Sequence, residues 1–131
     1  HGLTATREQY TSLVAEVASH GTVVVCVEHT DGTAALVRFP DASTLPFSRA
    51  EFGLKPREYV WARREQIDRR AGEVCAALAF AQALSEGGDP SAVRAGPCED
   101  EAAFRALVER LQGSVDGSRL ALLGHSMGAA T

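Results

Sequence analysis

The residues best placed to do chemistry stand near the end of the chain. Gly124-His125-Ser126-Met127-Gly128 fits the pattern G-x-S-x-G and follows an apolar run at 120–123. A serine nucleophile must present its hydroxyl from a sharp strand-to-helix turn, with its own backbone strained. At that turn the positions two residues either side come close to neighbouring backbone, where only glycine fits. Gly124 and Gly128 occupy those positions, and the small Ala129-Ala130 lets a following helix pack behind the turn. Ser126 is therefore the expected nucleophile, and the chemistry is attack on an acyl carbon.

Such an attack builds negative charge on the carbonyl oxygen, which preorganised N–H groups must receive. One donor in elbow-type sites is the amide after the serine, here Met127; the other comes from a loop far upstream. His1-Gly2-Leu3 is a loop of that type, and its expected donor is the Leu3 amide. His1 is better suited to bracing this loop than to moving a proton. The base and the acid of a triad follow the serine in this arrangement. Only five residues follow Ser126 here, so both are expected beyond Thr131. His125 is adjacent to the serine and should point away, His20 belongs to a helix end, and His29 is the one conceivable internal substitute.

The elements that must position these groups are legible from period and punctuation. Residues 6–19 read as a helix, with Thr6 as N-cap, Gln9 three residues on, and Tyr10, Leu13, Val14 and Val17 on one face. His20-Gly21 should end it, Gly21 in the left-handed C′ position. Residues 22–27 are β-branched and apolar enough for a central parallel strand. Glu28, His29 and Asp31 follow at its carboxyl end, where open α/β sheets place ligands. Glu28 and His29 suit either an acid–base pair or, more simply, a hydrogen-bonded loop brace. Residues 34–58 read as loops and short elements, with Phe39, Phe47 and Phe52 either lining a pocket or fastening the loop.

Residues 59–84 form a long helical stretch. Trp61 and Ile67 should anchor its charged first half, and Val74, Leu78, Ala81 and Leu84 make a stripe in the second. Its charges, Arg70 included, read as a solvated face. Gly87-Gly88 breaks it, residues 91–100 read as a polar loop, residues 101–111 as a shorter amphipathic helix, and Asp116-Gly117-Ser118 as the turn into the elbow strand. Helices alternating with buried strands imply a parallel sheet flanked by helices. The order is that of the centre of an α/β-hydrolase domain, so residues 1–131 are expected to be one partial domain, from oxyanion loop to nucleophile elbow, cut at both ends.

Composition narrows the partners. A net charge of −4 with no basic block argues against nucleic acid, and no apolar run reaches the length of a membrane span. Three cysteines at unrelated spacings give neither a disulfide framework nor a metal pattern. Cys26 and Cys75 read as core thiols and Cys98 as a loop thiol. No metal and no cofactor is expected.

Several segments together resemble a known family. His1-Gly2-Leu3, Ala18-Ser19-His20-Gly21, Val27-Glu28-His29-Thr30-Asp31, Arg64-Glu65-Gln66 with Arg70 and Glu73, and the elbow with Thr131 are similar to platelet-activating factor acetylhydrolases of the plasma and intracellular type-II kind. Thr4 and Ala129 depart from that pattern, each standing where the family has glycine. The resemblance implies a calcium-independent, phospholipase A2-like serine esterase acting on short or oxidised sn-2 acyl groups of phospholipids, with peripheral contact to lipid surfaces. It fits a cytoplasmic and a secreted protein equally. A cutinase-like polyester hydrolase or another carboxylesterase shares the elbow and the H-G loop, though not the E-H-x-D and R-E-Q pieces. A non-catalytic lipid- or partner-binding protein is the reading from a different class.

Overall fold

A computed structural model describes residues 1–50, 52–88 and 101–131. A 3-10 turn at Arg7–Tyr10 runs into α1 at Thr11–Ser19. Strands β1 (Leu36–Arg38) and β2 (Thr44–Pro46) follow, then α2 (Pro56–Ser85), α3 (Glu101–Leu111) and a closing 3-10 turn at Ser126–Ala129.

The first helix begins differently from its sequence reading. Thr6 makes no capping bond through its side chain, and the first turn is 3-10. The N–H of Arg7 is satisfied instead by Glu28 Oε2, 3.1 Å away and remote in sequence. The C-terminus is as expected: Gly21 has φ 81° and its N–H reaches Ala18 O at 3.0 Å. Tyr10, Val14 and Val17 form the partly covered face, whereas Leu13 is exposed.

Residues 22–27 and 120–123 are not strands among the described residues, although their composition favours the extended state. Backbone N–H and C=O groups need a laddered neighbour to make a sheet, and no described segment pairs with either run. Val23 and Val25 are consequently more than two-fifths exposed, and Leu122 and Leu123 more than two-thirds. The sheet that does form is the antiparallel pair β1–β2, with Val37 opposite Leu45. It lies within the stretch read as loops and short elements. Its connection bends at Ala42 (φ 65°) and is pinned by Asp41 Oδ1, which accepts from the N–H and hydroxyl of Ser43.

The long helix starts three residues earlier than expected. Pro56 fits the first helical position, where no N–H is needed, and Glu58 reaches back to the Lys55 N–H at 2.9 Å. Thirty residues make a rod about 45 Å long. Its second-half stripe is covered as expected, culminating in buried Leu84. Trp61 is no anchor, being 63% exposed with the Arg64 guanidinium over its ring. The α3 helix lies where the sequence places it, burying Val108. It is tied to the end of α2 by Gly113 N–H to Leu84 O and by Gln112 Nε2 to Gly88 O. The turn before residues 120–123 is also as read, with Ser118 bonded to Asp116 Oδ1 and the Gly117 N–H donating to Ser85 Oγ. Cys26 is half-buried and Cys75 exposed, so Cys75 is not a core thiol; Cys98 and the loop at 91–100 lie outside the described residues. Among the described residues no helix is long and apolar enough to cross a membrane.

Candidate active site

The elbow is held by contact between glycines and backbone. Ser126 has φ 55°, a left-handed conformation that costs a non-glycine residue roughly 1–3 kcal/mol. Its hydroxyl carries no hydrogen bond among the described residues, and the residue is exposed. A Cβ on Gly124 would stand 2.3 Å from Gly128 O. One on Gly128 would stand 2.9 Å from His1 O. A Cβ on Gly2 would meet Ser126 Cβ at 2.9 Å and Oγ at 3.2 Å. The upstream H-G loop therefore lies directly against the serine, although 124 positions separate Gly2 from Ser126 in the chain.

Both expected amide donors are at this junction. Among the described residues neither the Leu3 N–H nor the Met127 N–H has an intramolecular acceptor. Met127 is further touched by Arg63 of α2, whose Nη1 lies 3.7 Å from Sδ. Tyr10 bridges the two sides: its hydroxyl accepts from the Gly2 N–H at 3.2 Å and lies 2.8 Å from His125 Nδ1. The contact to Tyr10 is the hydrogen bond that His125 makes among the described residues.

Behind the H-G loop stands a buried polar centre that the sequence reading did not foresee. Arg70, read as part of a solvated face, is wholly buried. Its Nε donates to Asp31 Oδ2 at 2.7 Å, its Nη1 to His1 O at 2.8 Å, and its Nη2 to Thr33 Oγ1. Burying a guanidinium is tolerable only with a paired charge and filled donor positions, and Asp31 with two neutral oxygens meets that need. Asp31 also accepts from the N–H and hydroxyl of Thr33. Burial alone raises its pKa, but the bonds from Thr33 and Arg70 outweigh this and hold its carboxyl below the usual value.

Glu28 and His29 are loop braces. His29 Nδ1 lies 2.7 Å from Glu73 Oε2, and Glu73 Oε1 accepts from the N–H and hydroxyl of Thr30. His29 is 3% exposed; burial lowers its pKa, Glu73 pulls it back up, and the charges of Arg70 and His1 push it down again, leaving it below the ordinary value. Its described partners do not include Ser126. His1 Nε2 lies 2.7 Å from Glu28 Oε1 and 3.0 Å from the His29 N–H. Burial lowers the His1 pKa, but the Glu28 contact and the Gly2 carbonyl reverse this, and the net shift is upward. Glu28 Oε1 is buried with no well-aligned hydrogen bond. The short ion contact to His1 is its compensation, and that contact is favourable only when the imidazole carries a proton on Nε2. Phe47 and Phe52 meet at a tilt of 55°, 6.2 Å between centroids, and Phe52 is largely exposed. Among the described residues no group of three or more His, Cys, Asp or Glu side chains is arranged to hold a metal ion.

A strained, exposed serine thus lies between two space-limited glycines and abuts an H-G loop whose Leu3 N–H has no intramolecular acceptor among the described residues. The model of the family "Platelet-activating factor acetylhydrolase, isoform II" matches residues 1–131, and the chain belongs to that family. It is 34% identical over 137 residues to the platelet-activating factor acetylhydrolase of Canis lupus familiaris, covering all of this chain and 29% of that protein. The Gallus gallus protein of the same name is 30% identical, with all of this chain and 32% of the relative covered. A putative phospholipase A2 of Schizosaccharomyces pombe is 28% identical over the same shares. The chain thus spans about three tenths of the length of the curated relatives it matches.

Proposed function

We propose that the full-length protein carrying this chain is a serine esterase that removes short or oxidised sn-2 acyl groups from phospholipids without calcium. Ser126 is its nucleophile, and the Leu3 and Met127 amides receive the oxyanion. The observation that carries this reading is the pairing of a left-handed Ser126 with Gly2 of the H-G loop against its side chain. Ser126 Oγ adds to the ester carbonyl as its proton passes to a base. The carbonyl oxygen, now anionic, lies between the two amides; collapse expels the lysophospholipid alkoxide, which takes up that proton. Water then repeats the sequence on the acyl-serine and releases the short acid. No described histidine reaches Ser126, so this reading takes base and acid from residues that follow the serine in the full-length protein. It also takes residues 22–27 and 120–123 as strands of a parallel sheet, which their exposed apolar side chains support. The curated relatives named for platelet-activating factor acetylhydrolysis and phospholipase A2 support the substrate class.

The test is covalent labelling of the full-length protein with a fluorophosphonate in the presence of a chelator. The expected adduct is on Ser126. Ser126→Ala should abolish labelling and leave at most the ~10³–10⁴-fold residual over water that triad knockouts keep. An adduct elsewhere, or activity that dies in chelator, refutes the proposal. Faster turnover of an insoluble polyester than of a short-chain phospholipid would reassign the substrate.

A further inference from the structure

The H-G loop carries an unusual set of bonds on two consecutive peptide units. In the first, His1 C=O accepts from Arg70 Nη1 at 2.8 Å, and the Gly2 N–H donates to the Tyr10 hydroxyl at 3.2 Å. In the second, Gly2 C=O accepts from His1 Nδ1 at 2.9 Å and, more distantly, from the Ala5 N–H at 3.3 Å. Among the described residues, only the fourth polar group of this pair of peptides, the Leu3 N–H, is left without an intramolecular partner. A trans peptide is planar, with its C=O and N–H on opposite sides. Whatever grips Gly2 O therefore also sets the direction of the Leu3 N–H.

We propose that His1 is a positioning residue, whose Nδ1–H, by holding Gly2 O, aims the Leu3 amide at the oxyanion of the serine reaction. The proposal rests on the serine esterase reading above. A carbonyl oxygen only accepts, so Nδ1 must carry the hydrogen. That requirement is met by the neutral Nδ1–H tautomer, whose bare Nε2 accepts the His29 N–H, and also by the imidazolium, whose Nε2–H donates to Glu28 and gives up the His29 N–H bond. The grip on Gly2 therefore survives titration of the ring. Donation to Gly2 O also polarises the peptide and makes the Leu3 N–H a better donor. The ring itself is fixed: its side chain is 1% exposed and lies 4.9 Å, centroid to centroid, from the His29 ring.

Two variants of the full-length protein separate this role from simple packing. The Asn side chain places its N–H₂ near the position of His Nδ1, while the longer Gln side chain reaches toward Nε2. His1→Gln is expected to lower kcat by about 10–10²-fold with KM little changed, somewhat less than the loss of a whole oxyanion donor. His1→Asn is expected to recover most of that loss. Affinity for a trifluoromethyl ketone analogue, which forms the tetrahedral adduct, should fall with kcat, whereas affinity for a non-hydrolysable ether analogue should not. Equal kcat in the two variants, lowered or not, overturns the proposal while Ser126 labelling leaves the esterase reading intact. An adduct away from Ser126 sinks both. If His1→Gln does not fold, His1→Asn decides: retained kcat and ketone affinity support the role, and their loss in a natively melting protein refutes it.

Discussion

Thr4 shows what a single residue can cost. It stands at φ 60°, in the left-handed region, and is β-branched, so its Cβ crowds the backbone there. The family pattern has glycine at this position. Its backbone N–H is nonetheless well used, donating to Thr33 O at 2.7 Å and tying the H-G loop to the Asp31–Arg70 centre. The hydroxyl donates only to Leu3 O, in an exposed setting. Thr4→Gly should relieve about 1–2 kcal/mol of left-handed strain and return about 0.5–1 kcal/mol in unfolded-state entropy. The net expectation is roughly 0.5–1 kcal/mol of added stability, read as a higher urea midpoint of the full-length protein at unchanged slope. A lower midpoint would show that the hydroxyl contact outweighs the strain.

Between elements, the working unit is the junction of the H-G loop, residues 28–33 and the middle of α2. Arg69, Arg70 and Glu73 reach from one turn of the helix to Thr30, Asp31, Thr33 and His1. Two buried histidines at this junction titrate in opposite directions. His29 has its pKa lowered, so its contribution to stability is present above the ordinary 6.5 and is lost as pH falls through the lowered value. His1 has its pKa raised, so its contribution is complete below 6.5 and is lost as pH rises through the raised value. The two slopes meet near pH 6.5 and give the junction a stability maximum there. His29→Gln should flatten the acid limb and leave the alkaline limb in place, in urea midpoints of the full-length protein measured between about pH 5 and 8. An unchanged acid limb would mean that His29 charges as readily in the fold as in the unfolded chain.

At the scale of the whole molecule the charged and apolar groups are distributed against the usual order. Its fully buried side chains include Arg70 and Thr33, while Val23, Val25, Leu120, Leu122 and Leu123 stand exposed. Isolated apolar residues on a surface are ordinary, but contiguous runs of unpaired strand-forming backbone invite association. The chain 1–131 produced by itself should therefore bind a hydrophobic dye and self-associate. Its melt should be broad, and it should show no steady turnover of p-nitrophenyl acetate above background. A sharp cooperative melt from a monomer would contradict the first expectation, and hydrolysis abolished by Ser126→Ala the second.

Helices, turns and the elbow were legible in the chain because each depends on nearby residues. Gly21 ends α1 and Asp116 makes its turn through bonds spanning a few positions, whereas the start of α2 at Pro56, with Glu58 on the Lys55 N–H, lies in the stretch read as loops and short elements. The glycines of the elbow were likewise readable, since a backbone reversal excludes Cβ atoms wherever it occurs. Strand pairing was not, because a ladder belongs to two segments: residues 22–27 and 120–123 have the composition of strands and no described partner, whereas β1 and β2 pair within a stretch that shows no period. The burial of Arg70 was equally invisible. A guanidinium among Arg63, Arg64 and Arg69 reads as solvated, and only Asp31, Thr33 and His1, gathered from two distant loops, make its burial affordable. The sequence by itself determined which residues are candidates for chemistry, through type and local spacing. Tertiary structure decided which groups stand behind them, since charge compensation and peptide orientation depend on neighbours in space.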